Sequence, residues 1–328
     1  MKTKKQLRLF FLMIALAAAD KLNAQKALAD SIITQELLQH YVQALAHDSM
    51  QGRYTGTEGC EKAAQFIASQ MKTAGLSPLN SSDSNYLLNY TIERSSGNIT
   101  AANVLGIIPG KIADRFIIFS AHYDHVGNAD KHQMPGQFEL SKKDRIYNGA
   151  NDNASGVAAI LAIAQYFKLR NQNDYTILFI AFSGEENGLL GSEALLKSFT
   201  NKKNILQVIN LEMLGKISAR NKKPFVTEGR SSYGFMKKLN SNLTKMDAGL
   251  KNNFFQNDWL STENNFERSD NYTFAKQGIP ANTIMATTGL DKHYHTPSDE
   301  WHTLNYEEMT TVVKAVALAC SPMVITKN

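Results

Sequence analysis

The sequence predicts a three-layer α/β/α domain in which helices cover both faces of a central mixed, mostly parallel sheet. Three observations carry this. Stretches with helical hydrophobic spacing alternate along the chain with short apolar, β-branched runs. The run Tyr175–Phe182 (Tyr-Thr-Ile-Leu-Phe-Ile-Ala-Phe) is apolar on both faces, as a strand buried between two layers must be. The 328 residues contain no internal repeat, no low-complexity tract and no Pro- or Ser-rich linker that would separate two domains.

The elements follow in order. Ser31 to His47 reads as an amphipathic helix, with Ile32, Ile33, Leu37, Leu38, Tyr41, Val42 and Leu45 recurring on one side. A Gly- and Thr-bearing loop, Gly52 to Gly59, leads into a second helix from Glu61 to Thr73, stopped by Gly75 and Pro78. Asn103 to Ile108 and Arg115 to Ser120 read as strands, separated by Pro109-Gly110. Asn153 to Lys168 is a helix, Tyr175 to Phe182 a central strand, Leu189 to Phe199 a helix and Ile205 to Leu211 a strand. Ser231 to Asn242 reads as helical, Pro280 to Ala286 as a strand, and Tyr306 to Cys320 as the closing helix.

The N-terminus has another character. Lys2, Lys4, Lys5 and Arg8 precede an apolar run from Leu9 to Ala19, the layout of a secretory signal peptide. That run is shorter than the roughly 20 apolar residues a bilayer span needs. Leu22-Asn23-Ala24 offers a cleavage site, so residues 1–24 are expected to be a leader and 25–328 a single catalytic domain. The expected address is periplasmic or extracellular, without stable membrane insertion. Lys2, Lys4, Lys5, Arg8 and Lys21 against Asp20 give the leader a net +4, so only about +1 of the formal +5 stays with the remainder. A nucleic-acid partner is therefore not expected. Two cysteines, Cys60 and Cys320, exclude a disulfide scaffold but neither require nor forbid one bridge. Oligomeric state leaves no signature.

In a parallel sheet, ligands bind beyond the carboxyl ends of the strands. There the sequence changes character. The Arg115–Ser120 strand runs into Ala121-His122-Tyr123-Asp124-His125, and Asn148-Gly149-Ala150-Asn151-Asp152-Asn153 precedes the next helix. Tyr175–Phe182 ends in Ser183-Gly184-Glu185-Glu186, Ile205–Leu211 in Glu212, and the loop after Pro280–Ala286 carries His293, Tyr294 and His295. Singly these are unremarkable, since an Asp before a helix is most often an N-cap and acids at a helix start complement its dipole. Together, Asp124, Asp152, Glu185, Glu186 and Glu212 would place five negative charges in one crevice. Like charges that close cannot all stay ionised without a counter-charge. Two imidazoles with several carboxylates suit zinc or a similar divalent ion.

The stretches Ser-Ala-His-Tyr-Asp-His (120–125), Asn-Gly-Ala-Asn-Asp-Asn-Ala-Ser-Gly (148–156), Phe-Ser-Gly-Glu-Glu-Asn-Gly-Leu-Leu-Gly-Ser (182–192), Asn-Leu-Glu-Met-Leu-Gly (210–215) and Tyr-His-Thr-Pro-Ser-Asp (294–299) resemble, in order, the co-catalytic di-zinc aminopeptidase family. Wider relatives of that family include plasma glutamate carboxypeptidase, glutaminyl cyclases and the transferrin receptor ectodomain. The resemblance implies a phosphorylase/zinc-peptidase-like sheet, two zinc ions and a peptide substrate. It implies Asp152 as the carboxylate shared by both ions, Glu186 and His295 at the first site, and His122 and Glu212 at the second. Glu185 matches the general base and Asp124 the carboxylate orienting His122. The Glu212 position is more usually Asp in the family, so its longer arm puts the second site's geometry in question.

The reaction this implies is hydrolysis of the N-terminal peptide bond. Glu185 would take a proton from water activated at the ions and pass it to the leaving amine. The alternatives on the same scaffold are a glutaminyl cyclase holding one zinc on Asp152, Glu186 and His295, and a carboxypeptidase or dipeptidase. A non-catalytic binding module, like the receptor relative, would be expected to have lost ligands or the base. Asp270, in a Ser269-Asp270 pair that resembles an active-site segment of relatives, and Tyr294 are candidate substrate contacts. His125, His293 and His302 read as solvated or as supporting the site from behind. The aromatic group Phe254, Phe255, Trp259 and Phe266 reads more readily as core than as a pocket.

Overall fold

The computed structural model describes residues 20, 22–79, 85–95, 97–131, 144–219, 222–246, 249–250, 253–258 and 264–326. Most of the expected leader, and Trp259, lie outside the described residues. Residues 22–32 are helical, and the cleavage point after Ala24 falls inside that run.

Among the described residues one sheet carries eight strands in the order β1-β2-β4-β3-β5-β8-β6-β7. They are β1 (Leu87–Ile92), β2 (Ile99–Ile108), β3 (Ile112–His122), β4 (Tyr175–Phe182), β5 (Ile205–Glu212), β6 (Phe225–Thr227), β7 (Gln256–Asn257) and β8 (Ala281–Met285). The middle strands β4, β3, β5 and β8 are mutually parallel. The β1–β2, β2–β4 and β6–β8 pairs are antiparallel. The sheet is thus mixed, with a parallel centre, as the apolar central runs require.

Alternation along the central strands explains why they read as apolar on both faces. Ile117, Phe119, Ile177, Phe179 and Ala181 point to one side, where they meet α1 (Gln35–Leu45), α2 (Glu58–Thr73), α3 (Ser155–Arg170), α5 (Phe235–Lys245) and α7 (Tyr306–Cys320). Ile118, Leu178, Ile180 and Phe182 point to the other, against Leu195 and Leu196 of α4 (Leu190–Ser198) and Phe274 of α6 (Asn271–Ala275). Helix α3 is buried around nearly its whole circumference between sheet, α1 and α7. That is why it is Ala-rich and lacks a polar stripe. Burying a side chain such as Phe179 or Ile180 contributes about 1.5–3 kcal/mol, so these two faces hold the site's edge rigid.

The helix expected over Ser31–His47 is interrupted. The first run ends at residue 32, and Thr34 caps a new helix by accepting the Leu37 N–H. Helix α2 starts three residues earlier than expected because Thr57 caps it through the Cys60 N–H. The strand β1, the short β6 and β7 and helix α6 were not expected from the sequence. β1 is an edge strand with only one residue buried, and the others are too short for periodicity to show. Cys60 and Cys320 are both buried and free, so no bridge joins them.

Candidate metal centre

β4, β3 and β5 run side by side in one direction, so their carboxyl ends share an edge. His122 is the last residue of β3 and Glu212 the last of β5, while Glu185 and Glu186 follow β4 and His295 follows β8. Asp152 comes from the turn entering α3. Two glycines make these approaches possible. Gly149 holds φ +55, and a Cβ there would lie 2.3 Å from the Asp152 carbonyl oxygen. Gly184 holds φ +75 in the turn that presents Glu185 and Glu186. The Asp152–Asn153 peptide bond is cis.

The five candidate donor residues lie close together. His122 Nε2 lies 3.3 Å from Asp152 Oδ1, and His295 Nε2 lies 3.2 Å from Asp152 Oδ2 and 3.1 Å from Glu186 Oε1. Two sets of donor atoms, each within 4.8 Å of one another, result: Asp152, Glu186 and His295 with His125, and His122, Asp152 and Glu212. Asp152 belongs to both and turns one oxygen toward each. His122 Nε2 and Glu212 Oε2 are buried without a hydrogen-bond partner among the described residues. Polar atoms buried and orphaned in this way require an explanation, and a cation between them supplies one. The nitrogen and carboxylate donors fit zinc.

Electrostatics agree. Burial pushes the carboxyls of Glu212 up to about 7 and Asp124 up to about 6. Burial, with the charges of Glu186 and Glu212, also lifts Glu185 well above the usual carboxylate range. Burial works the same way on Glu186 and Asp152, but neighbouring imidazoles overcome it and hold both low, Glu186 at about 2. His295 is correspondingly raised to about 10 against the effect of burial. Burial and the imidazoles thus pull the acids of the crevice in opposite directions. A divalent pair would supply the counter-charge instead and require neutral imidazoles as ligands.

Asp124 does something different from the expected orientation of His122. The His122 Nδ1 lies 3.2 Å from the Asp124 main-chain oxygen but 3.8 Å from its carboxylate. The carboxylate instead accepts the Thr55 hydroxyl at 2.9 Å and the N–H groups of Glu185 and Glu186 at 3.2 and 3.3 Å. It fixes the turn that carries Glu185 and Glu186 by accepting from two of its main-chain donors.

Asp270 is fully buried, both its oxygens lack a partner among the described residues, and it does not line the cleft. Its carboxyl is pushed up to about 7 by burial. This placement, beneath the centre, corrects the expected substrate contact. Tyr294 does line the cleft and stacks on His295 with ring centroids 3.9 Å apart. The cleft measures about 420 Å³ and is bordered by Asp152, Glu185, Glu186, Glu212, Arg268 and Tyr294. Phe255 belongs to the core, Phe254 packs against it, and Phe266 lies under Gly229. His302 is exposed, whereas His293 is half-buried on Ser298. His125 is not solvated; it is fully buried beside Glu186.

Two further residues shape the site and were not expected from the sequence. Asp299 accepts the N–H groups of Asn151 and Asp152, both at 3.0 Å, and so pins the shared carboxylate's backbone. It closes the Tyr-His-Thr-Pro-Ser-Asp stretch, which was the available signal. Arg53 is fully buried and donates to four carbonyls, those of Leu45, Tyr123, Asn148 and Gly149, at 2.6–2.9 Å. It ties the His122 loop to the Asp152 loop. Nothing in the sequence marks it, because its partners are main-chain oxygens. Arg53→Met strands those acceptors, and denaturant unfolding is expected to show a loss of about 3–5 kcal/mol. A loss below about 1 kcal/mol would show that the clamp is dispensable.

Comparisons with known proteins bear on this geometry. A model of peptidase family M28 matches residues 103–320. The alkaline phosphatase isozyme conversion protein of Escherichia coli is 37% identical over 170 residues, 50% of this chain and 47% of that protein. Leucine aminopeptidase 1 of Arthroderma gypseum is 25% identical over 308 residues, 91% of this chain and 75% of that protein. This chain therefore spans about half of the first relative and three-quarters of the second. Among solved structures, the aminopeptidase from Aneurinibacillus sp. strain AM-1 superposes with a TM-score of 0.68 at 16% identity, covering 92% of this chain and 97% of that one. The glutaminyl cyclase of Porphyromonas gingivalis gives 0.66 at 18% identity, covering 89% and 99%. These two likenesses establish the fold. The family match spans well over half the sequence and includes all five donor residues and Glu185, so this chain belongs to peptidase family M28.

Proposed function

We propose that the protein is a zinc-dependent exopeptidase that removes N-terminal amino acids from peptides, acting after export to the periplasm or exterior. The observation that carries this is the pair of donor sets sharing Asp152, with Glu185 lining the same cleft. The chemistry a bound zinc pair supplies is Lewis acidity, at the scissile carbonyl and at the attacking water. Asp152, Glu186 and His295 would hold one ion and His122, Asp152 and Glu212 the other. Glu185 belongs to neither set, and its raised pKa suits a group that accepts a proton and then returns it to the leaving amine. Asp124 and Asp299 keep the Glu185 and Asp152 segments in place. The basic and apolar start of the chain supports export.

The test is to purify the protein, count its metal, and assay it on aminoacyl-anilide and glutaminyl-peptide substrates in parallel. Two zincs with release of free amino acid support the proposal. One zinc with cyclisation of N-terminal glutamine would replace it with the cyclase reading. Glu212 provides a finer check. Glu212→Asp withdraws the donor oxygen by one methylene from a strand end that β3 and β8 hold fixed. Zinc titration is expected to show the second site weakened by about tenfold or more with the first unchanged. An unchanged second site would overturn this and show that the shorter carboxylate arm serves there equally well.

A further inference from the structure

His125 belongs to neither expected ligand set, yet it is fully buried and packed against one of them. Its Nδ1 lies 3.0 Å from Glu186 Oε1 and 3.7 Å from Asp152 Oδ2. Its ring meets that of His295 edge-on at 5.4 Å. It fits there because residue 149 has no side chain, since a Cβ on Gly149 would lie 2.5 Å from His125 Cδ2. Two roles are compatible with those distances. His125 could be a fourth ligand of the first ion, or it could hold Glu186 in position.

The nitrogen that faces the carboxylates decides between them, because Nδ1 already stands in hydrogen-bond contact with Glu186 Oε1 at 3.0 Å. Nε2 of His125 is buried without a partner among the described residues. An imidazole carries at least one ring proton. A proton on Nε2 alone would be a buried donor with no acceptor, which is rarer and costlier than a lone pair without a donor. A proton on Nδ1 avoids that cost, and Glu186 Oε1 is placed to accept it in good hydrogen-bond geometry. A protonated nitrogen has no lone pair to give a metal.

We propose that His125 is a positioning residue: its Nδ1–H holds the Glu186 carboxylate in the orientation that the first metal site needs. The inference rests on the reading of Asp152, Glu186 and His295 as that site. Carboxylate ligands are commonly oriented by such outer donors, and removing one typically costs 10–100-fold in metal affinity.

Three variants of the full chain test it, read by zinc affinity in chelator competition and by the visible spectrum of the Co(II)-loaded protein. His125→Asn puts an amide N–H near the place of Nδ1, His125→Gln puts it near Nε2, and His125→Leu removes it. The wild type is expected to bind two zincs. His125→Leu is expected to weaken one of the two by about 10–100-fold and to shift the cobalt bands of that site. His125→Asn should come within a few-fold of the wild type, and His125→Gln should resemble the leucine variant. If His125→Leu does not fold, the contrast between Asn and Gln carries the test. The proposal is overturned if Asn is as weak as Gln or Leu, which would make the imidazole a ligand, or if all variants match the wild type. A wild type that binds no zinc would instead remove the metallopeptidase reading itself.

Discussion

Glu185→Gln is expected to lower kcat by about 10³-fold, equivalent to about 4 kcal/mol of barrier, with KM and zinc content unchanged. The side chain keeps its volume and its place in the cleft but can no longer accept a proton. Glu185 is absent from both donor sets, so no metal ligand is lost. Its main-chain N–H still reaches Asp124 at 3.2 Å, so the turn keeps its shape. Separate measurement of kcat and KM with metal analysis checks this. A variant that loses zinc along with activity would place Glu185 among the ligands, and one with full turnover would end its candidacy as the base.

The larger loss is expected from Asp152→Ala. Its carboxylate is the one group common to both donor sets among the described residues, with oxygens 3.3 Å from His122 Nε2 and 3.2 Å from His295 Nε2. Without it both sets lose the one ligand they share. Zinc content is expected to fall from about two per chain toward zero, and activity by about 10⁴-fold or more. A thermal readout separates this from misfolding. Zinc at about 100 times its dissociation constant stabilises the folded form by roughly 2.7 kcal/mol. The wild type should show that rise in Tm on zinc addition, and Asp152→Ala should show none while unfolding cooperatively in its absence. A variant that keeps both ions would overturn the shared-carboxylate geometry.

The central fold and the donors were legible in the sequence because both depend on strong, short-range patterns. Tyr175–Phe182 is apolar at every position but one, and the structure keeps those bounds. His122, Glu185, Glu186 and Glu212 stand at or just past the carboxyl ends of apolar strands, where parallel strands collect their chemistry, while Asp152 and His295 lie in polar loops beside them. What holds these residues was less legible. Arg53 acts through carbonyls of three segments, one of them eight residues away and two far along the chain, which share no pattern with it. The bonds of Asp124 and Asp299 run to main-chain N–H groups, so an acid beside a histidine suggested a side-chain partner that the geometry does not use. The hidden Thr34 cap divided a helix whose hydrophobic spacing continues unbroken through it.

Arg53, Asp124 and Asp299 grip peptide groups, whereas the outer wall of the cleft reaches the centre through side chains, Arg268 lying over the Tyr294 ring that stacks on His295. That wall includes Glu267 and Arg268, contributed by a short helical turn that none of the three touches. The backbone-held donors and the side-chain wall are thus built by different kinds of contact. A substitution in that turn would be felt at His295 through the Tyr294 ring, while the peptide-held loops of His122 and Asp152 keep their anchors.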